Sequence, residues 1–274
     1  MKNVYIGLLS FVSLTLAQEA YAENAPQASE SAPQVQVSSQ SSNFTPAQVE
    51  EIKKVVGEVL LQNPDLIMSS FQAGMEKQQK EAVVKMEQAV QDHKDKIFKD
   101  EKTPVAGNVK GTQSLVVFLD PGCGYCKKFH GELATLLNQN KDIKIIFKDI
   151  PIMGPNSITA IKALLAAKEQ GKYDKLQKAL FSSEKALTKK EIINLARSAG
   201  LDTKKLQADM KKKTIQEAID QNLELAKVLG INGTPTLIIG ETKVVPGYMS
   251  AEDLSKALKE ASSPSSQEKT KKTS

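Results

Sequence analysis

The spacing of apolar positions divides the chain into a helical first part and an α/β second part. Ahead of both, Lys2 precedes an apolar run from Val4 to Ala17, and Ala20-Tyr21-Ala22 follows it. The run is too short for a comfortable membrane span and has the flanks of a cleaved export signal, expected over residues 1–22. Residues 23–43 are Ser, Gln, Ala and Pro with scattered Val and no periodic face, so a disordered linker is expected there. Thr45, with Pro46 at the first helical position and Gln48 three residues on, predicts a capped helix start. Val49, Ile52, Val55, Val56, Val59 and Leu60 then share one helical face. Asn63-Pro64 ends that helix and starts a second, predicted to run to about Phe98. On it Met68, Phe71, Met75, Gln79, Ala82, Met86, Ala89 and His93 alternate by three and four, a heptad-like but weak seam. The two helices have too few large apolar residues to form a core alone. Their cover is either the rest of the chain or a second copy. A helical oligomerisation region is expected over 44–101, making a homodimer.

From Gly111 the period changes. Leu115–Leu119 is a continuous apolar run, as in a central strand buried on both faces. Ile143–Phe147, Thr236–Ile239 and Lys243–Val245 predict three more strands. Residues 148–235 have helical spacing throughout, with a capping box at Thr188/Glu191 and a helix stop at Gly200. Ser250 with Asp253 opens a last helix, and residues 262–274 form a polar tail. The order is strand, helix, strand, long helical insertion, strand, strand, helix.

Composition narrows the function. Of 274 residues, 37 are Lys or Arg and 32 Asp or Glu, a net charge of only +5 that gives no footprint for nucleic acid. Trp is absent and aromatics make up 5%, which leaves no base-stacking platform. Two cysteines and two histidines are the whole supply of soft metal ligands.

The chemistry is in Asp120-Pro121-Gly122-Cys123-Gly124-Tyr125-Cys126, at the end of the first strand. Two cysteines three apart at a helix start lie on one face, with Cα atoms able to sit at ~5.5 Å, the separation a disulfide wants. The unpaired N–H groups and positive dipole end of a helix N-terminus stabilise a thiolate. Cys123 is expected as the exposed nucleophile and Cys126 as the resolving thiol behind it. An inert disulfide closing so small a loop would stabilise the fold little. Lys127 after Cys126 excludes the haem-attachment motif. A zinc site would need His93 and His130 as well, and His93 is not at finger spacing. No metal and no cofactor are expected. His130, one turn past Cys126, reads as a core or rim histidine that could also favour a thiolate, and Phe129 as core.

A strand, C-x-x-C, a helix and a late Gly233-Thr234-Pro235-Thr236 before a strand resemble the thioredoxin fold. The helical insertion, about 155–213, resembles the DsbA type, and the likeness covers roughly 102–261. The resemblance implies that Pro235 is cis and packs against the cysteine pair. It also makes Thr234 the substrate-facing residue, its hydroxyl able to donate towards the Cys123 sulfur. The dipeptide Gly124-Tyr125 and Thr234 resemble the isomerase DsbC, and the N-terminal helices resemble the stalks of oligomeric relatives such as DsbC and ScsC. The resemblance thus implies a periplasmic disulfide oxidoreductase/isomerase. Its partners would be unfolded or misfolded secreted proteins with cysteines and a DsbB-like or DsbD-like membrane redox protein. A dedicated oxidase and a non-catalytic chaperone on the same scaffold are the rival readings. DsbA and thioredoxin bury an acid beneath the resolving cysteine. Here that strand is wholly apolar, leaving Asp120, Lys148 and Asp149 as the nearby charged residues.

Overall fold

The computed structural model describes residues 44–100 and 102–263. The expected signal and linker, and the tail past Ser263, lie outside them. The chain falls into two units, residues 1–64 and 65–274.

In the first unit, helix α1 (Pro46–Gln62) has the predicted capping box. The Gln48 N–H donates to the Thr45 hydroxyl, and the Thr45 N–H donates to the Gln48 side chain at 2.8 Å. None of its residues is buried, and Val55 and Val56 on the apolar face are each 50% exposed.

The second unit opens with α2 (Pro64–Asp92) and the short α3 (Lys94–Phe98), which a break at His93 separates. Next come β1 (Val105–Gly107), β2 (Gln113–Leu119), α4 (Gly124–Gln139) and β3 (Ile143–Asp149). The insertion is α5 (Pro155–Lys168), α6 (Tyr173–Phe181), α7 (Lys189–Ser198), α8 (Thr203–Asp209) and α9 (Lys213–Val228). Then β4 (Thr236–Ile239), β5 (Lys243–Pro246) and α10 (Ala251–Ser262) close the unit. The sheet order is β1-β3-β2-β4-β5, with β2 and β3 parallel and the other pairs antiparallel. This is the thioredoxin fold with a DsbA-like helical insertion and a helical N-terminal region. The three-residue edge strand β1 has no sequence signal of its own, because so short an element has no period to read.

Alternation along the strands fills both sheet faces. Leu115, Val117, Leu119, Ile145, Phe147, Leu237 and Ile239 pack with α4, α5, α6, α7 and α10. Val116, Phe118, Ile146, Ile238 and Val244 pack with α9 on the other face, together with Val90 of α2 and Ile97 of α3.

That second cluster redraws the helical region expected over 44–101. Met68, Phe71 and Met75 are exposed at 55%, 63% and 52%, but Met86 and Ala89 lie against the sheet cluster and Val90 is fully buried. The weak seam therefore changes partner along its length. Its second half is core of the second unit, so a boundary at 101/102 would cut through packed side chains. Polar contacts fix the same stretch: Glu87 accepts the Val244 N–H of edge strand β5, and Gln91 and Lys94 reach Glu241. Lys148, 1% exposed, donates to the Lys96 carbonyl, to Asp100 at 3.1 Å and to Thr103 at 2.7 Å, which ties the exit of α3 to β3.

Candidate active site

The parallel pair β2/β3 delivers two chain ends side by side, with Leu119 in register with Asp149. Asp120 follows β2 and is fully buried. Its carboxylate accepts the Gly122 N–H at 2.7 Å and the Met153 N–H at 2.8 Å, and its carbonyl accepts the Cys123 N–H at 3.0 Å. One aspartate therefore shapes the turn into the cysteines and pins the loop after β3 beside it. Gly122 leaves no room for a side chain, since a Cβ there would meet the Ser157 hydroxyl at 2.6 Å and Met153 Cβ at 3.2 Å.

Cys123 is the N-cap of α4 and Cys126 stands in its first turn. Both are free thiols. The accessible edge of Cys123 is small, at 7%, and Cys126 has none, so the expected order of exposure holds although neither sulfur stands proud. Tyr125 between them is 70% exposed, and Ile152 and Met153 on the pinned loop are also exposed.

The Thr234–Pro235 peptide is cis, as the resemblance implied. The Cys123 thiol donates to the Thr234 carbonyl at 3.3 Å. The expectation for the Thr234 hydroxyl is corrected. It is buried without a regular hydrogen-bond partner and acts on the Cys126 sulfur, favouring that thiolate. Burial outweighs this help, and the Asp120 backbone's, and pushes the Cys126 thiol up to about 12.

His130 lies half-buried, its ring stacked on Phe181 at 4.9 Å and bonded to Gln177; burial lowers its pKa. It belongs to the helix packing rather than the sulfurs. Phe129 is core, edge-on to Tyr248. Among the described residues no three His, Cys, Asp or Glu side chains are grouped to hold a metal ion.

Sequence reasoning named Asp149 without placing it. It is fully buried at the end of β3, its Oδ2 accepting the Tyr173 hydroxyl at 2.5 Å while Oδ1 has no partner. Burial first, and the nearby Asp120 charge, push its pKa up to about 7 against the opposing Tyr173 hydrogen bond. Tyr173 and Gln177 had no signal in sequence: they read as ordinary positions of an amphipathic helix.

The thioredoxin family model matches residues 99–260. The chain belongs to the thioredoxin family. Among solved structures, a thioredoxin-like oxidoreductase of Silicibacter pomeroyi is 34% identical, covering 61% of this chain and 96% of its own, with a TM-score of 0.59. The thiol-disulfide exchange protein α-DsbA2 of Wolbachia pipientis is 31% identical, covering 64% and 95%, with a TM-score of 0.60. ScsC of Proteus mirabilis is 27% identical, covering 80% and 99%, also at 0.60. A 150-residue stretch, 53% of this chain, is 25% identical to the Na+/H+ antiporter NhaA of Herminiimonas arsenicoxydans and spans 24% of that relative. With these relatives, the chain is a DsbA-type thiol–disulfide oxidoreductase.

Proposed function

We propose that this oxidoreductase works outside the cytoplasm, where disulfides persist, and rearranges disulfides in secreted proteins more than it donates them. Cys123 is the nucleophile. Its thiolate attacks a client disulfide, one client sulfur leaves as a thiolate, and a mixed disulfide joins enzyme and client. Forming that bond removes the Cys123 S–H and releases the Thr234 carbonyl beside Pro235, which can then accept a client backbone N–H. Tyr125, Ile152 and Met153 offer an apolar rim to residues flanking the client cysteine.

The observation that carries the isomerase lean is the burial of Cys126. The mixed disulfide is resolved by Cys126, which reduces the client, or by another client thiol, which isomerises it. Burial holds the Cys126 thiol protonated, pushed up to about 12, so Cys126 attacks seldom and the client has time to act. The Gly124-Tyr125 dipeptide and Thr234 point the same way. An isomerase must be kept reduced, so the partner this reading calls for is a DsbD-like membrane reductant. A DsbB-like oxidant suits the rival oxidase. Refolding of scrambled ribonuclease, run beside insulin reduction, decides the matter. The expected result is recovery of ribonuclease activity under a mildly reducing glutathione buffer. Insulin reduction with no ribonuclease recovery would overturn the isomerase reading.

A further inference from the structure

The Cys123 sulfur and the Thr234 carbonyl, 3.3 Å apart, are delivered by two different elements. Thr234 and Pro235 stand just ahead of β4, whose first residue, Thr236, pairs with Pro246 at the end of β5. Pro246 has no N–H to give to that ladder. The next N–H along, that of Gly247, donates to the Pro235 carbonyl at 2.8 Å. The Thr236 hydroxyl also donates to the Gly233 carbonyl at 2.8 Å, a bond within the loop itself. The hold of β5 on Pro235 thus depends on where Gly247 is placed.

Gly247 turns the chain off β5 with a φ of 94°, a conformation that favours glycine, and Tyr248 follows. The Tyr248 ring meets Phe129 edge-on, with 6.3 Å between centroids, and the Lys128 ammonium lies over its face at 4.5 Å. Its hydroxyl donates to Glu132 Oε1 at 2.6 Å, and Glu132 Oε2 accepts the Ala251 N–H at 2.9 Å. The Tyr248 bond first, and then the Ala251 bond, lower the Glu132 pKa, which makes the carboxylate a charged acceptor, the stronger kind. Lys128, Phe129 and Glu132 all belong to α4, the helix that Cys123 caps. One closed path therefore runs from the cysteine helix through Glu132, Tyr248, Gly247 and Pro235 to Thr234, and back to Cys123.

We propose that Tyr248 is a positioning residue for client exchange: clamped to α4 by Glu132, it keeps the Gly247–Pro235 bond in place and so fixes the Thr234 carbonyl beside Cys123. This rests on the role given above to that carbonyl as acceptor of a client backbone N–H. Nucleophile and acceptor then engage one client segment together, its sulfur at Cys123 and its N–H at Thr234. A loop left to drift would have to be ordered by each client, which costs affinity.

The test uses the full chain, reduced, with two variants. Tyr248→Phe keeps the ring on Phe129 and drops the Glu132 bond; Glu132→Gln removes the charge and one of the two acceptor oxygens. Amide hydrogen exchange reads the brace. The Gly247 N–H should exchange about tenfold faster in Tyr248→Phe, with the Leu237 and Ile239 amides further along β4 unmoved, and Glu132→Gln should follow in the same direction. Single-turnover reduction of the symmetric disulfide of an extended cysteine peptide separates binding from chemistry. Both variants should need several-fold more peptide for half-saturation, at a nearly unchanged limiting rate. Hydroxyethyl disulfide has no backbone N–H to give, so the loss on it should be smaller. A Gly247 amide that stays in place in both variants overturns the brace. A faster Gly247 amide with unchanged half-saturation, or equal losses on the two disulfides, overturns the positioning role. If the unaltered protein reduces neither disulfide, the exchange reading of Cys123 falls instead, while the amide result still decides the brace.

Discussion

Removing the Cys126 sulfur should leave Cys123 able to attack and unable to be freed from within. Cys126→Ala is therefore expected to accumulate mixed disulfides with cysteine-containing clients, and Cys123→Ser to trap nothing. Non-reducing electrophoresis of material captured from the extracytoplasmic space checks both, and an empty Cys126→Ala trap would count against the exchange order. Thr234→Val keeps the shape and loses the hydroxyl that favours the Cys126 thiolate. It should slow the release of client from a preformed mixed disulfide several-fold, leaving the Cys123-to-backbone bond intact; an unchanged release rate would reduce that hydroxyl to packing. Asp149 supplies a third prediction, on stability. Its folded pKa is raised above that of an unfolded aspartate, so the native state binds the extra proton. Its contribution is full below about pH 4, where an unfolded aspartate is protonated too, and is lost progressively up to about 7. Denaturant titrations at pH 5 to 8 should show the unaltered protein losing roughly 3 kcal/mol relative to Asp149→Asn. A constant difference across that range would mean the buried carboxyl does not titrate there. At this scale the motif residues Cys123, Cys126, Thr234 and Pro235 were legible, because local sequence encodes a turn, a cap and an X-Pro bond. The Asp149–Tyr173 pair was not, because the contact joins a strand end to a helix of the insertion and only the tertiary fold brings them together.

Among the elements, the four principal strands and the amphipathic helices were legible because apolar period and burial agree. The partner of a weakly apolar helix was not, and α2 shows why: its sequence gives a face but not what covers it. Met86, Val90 and Ile97 lie on the sheet, held by Glu87, Gln91 and Lys94. Deleting everything up to Lys99 would therefore strip two fully buried aliphatic side chains, each worth about 1.5–3 kcal/mol, and the Lys96 carbonyl that helps hold Lys148. Deleting only up to about Gln79 removes none of them. The shorter deletion should match the full chain in denaturation midpoint, and the longer one should fall well below it; equal midpoints would show the contacts to be dispensable. Lys148 supplies a sharper check. Removing one partner of a buried ion pair leaves a stranded charge, whereas replacing the charge itself by an apolar group of similar size need not. Asp100→Ala should therefore cost about 1–3 kcal/mol, since Thr103 and the Lys96 carbonyl remain, and Lys148→Met should cost less. The reverse order would contradict the assignment.

At the scale of the whole molecule, an isomerase has to keep hold of a client between attacks, and a single apolar rim beside Cys123 is a small handle. Two catalytic units in one assembly raise the effective concentration of the second contact, so a client released by one is recaptured by the other. An apolar surface able to build such an assembly lies before Gln79. Ile52, Val55, Val56, Val59 and Leu60 of α1, and separately Met68, Phe71 and Met75 of α2, keep 38–63% of their surface exposed. Apolar stripes at helical spacing are the pattern by which helices associate, and a homodimer through this region is the arrangement we propose. The deletion up to about Gln79 isolates its contribution, because it removes both stripes and spares the helix turns that pack on the sheet. Light scattering should give an oligomer for residues 23–274 and a monomer for the deleted chain. Insulin reduction should be nearly equal in the two, since the dithiol and cis-Pro235 are untouched, while recovery of scrambled ribonuclease should fall several-fold in the monomer. Full ribonuclease recovery by the monomer would detach the stripes from catalysis, and a monomeric full-length protein would remove the assembly altogether.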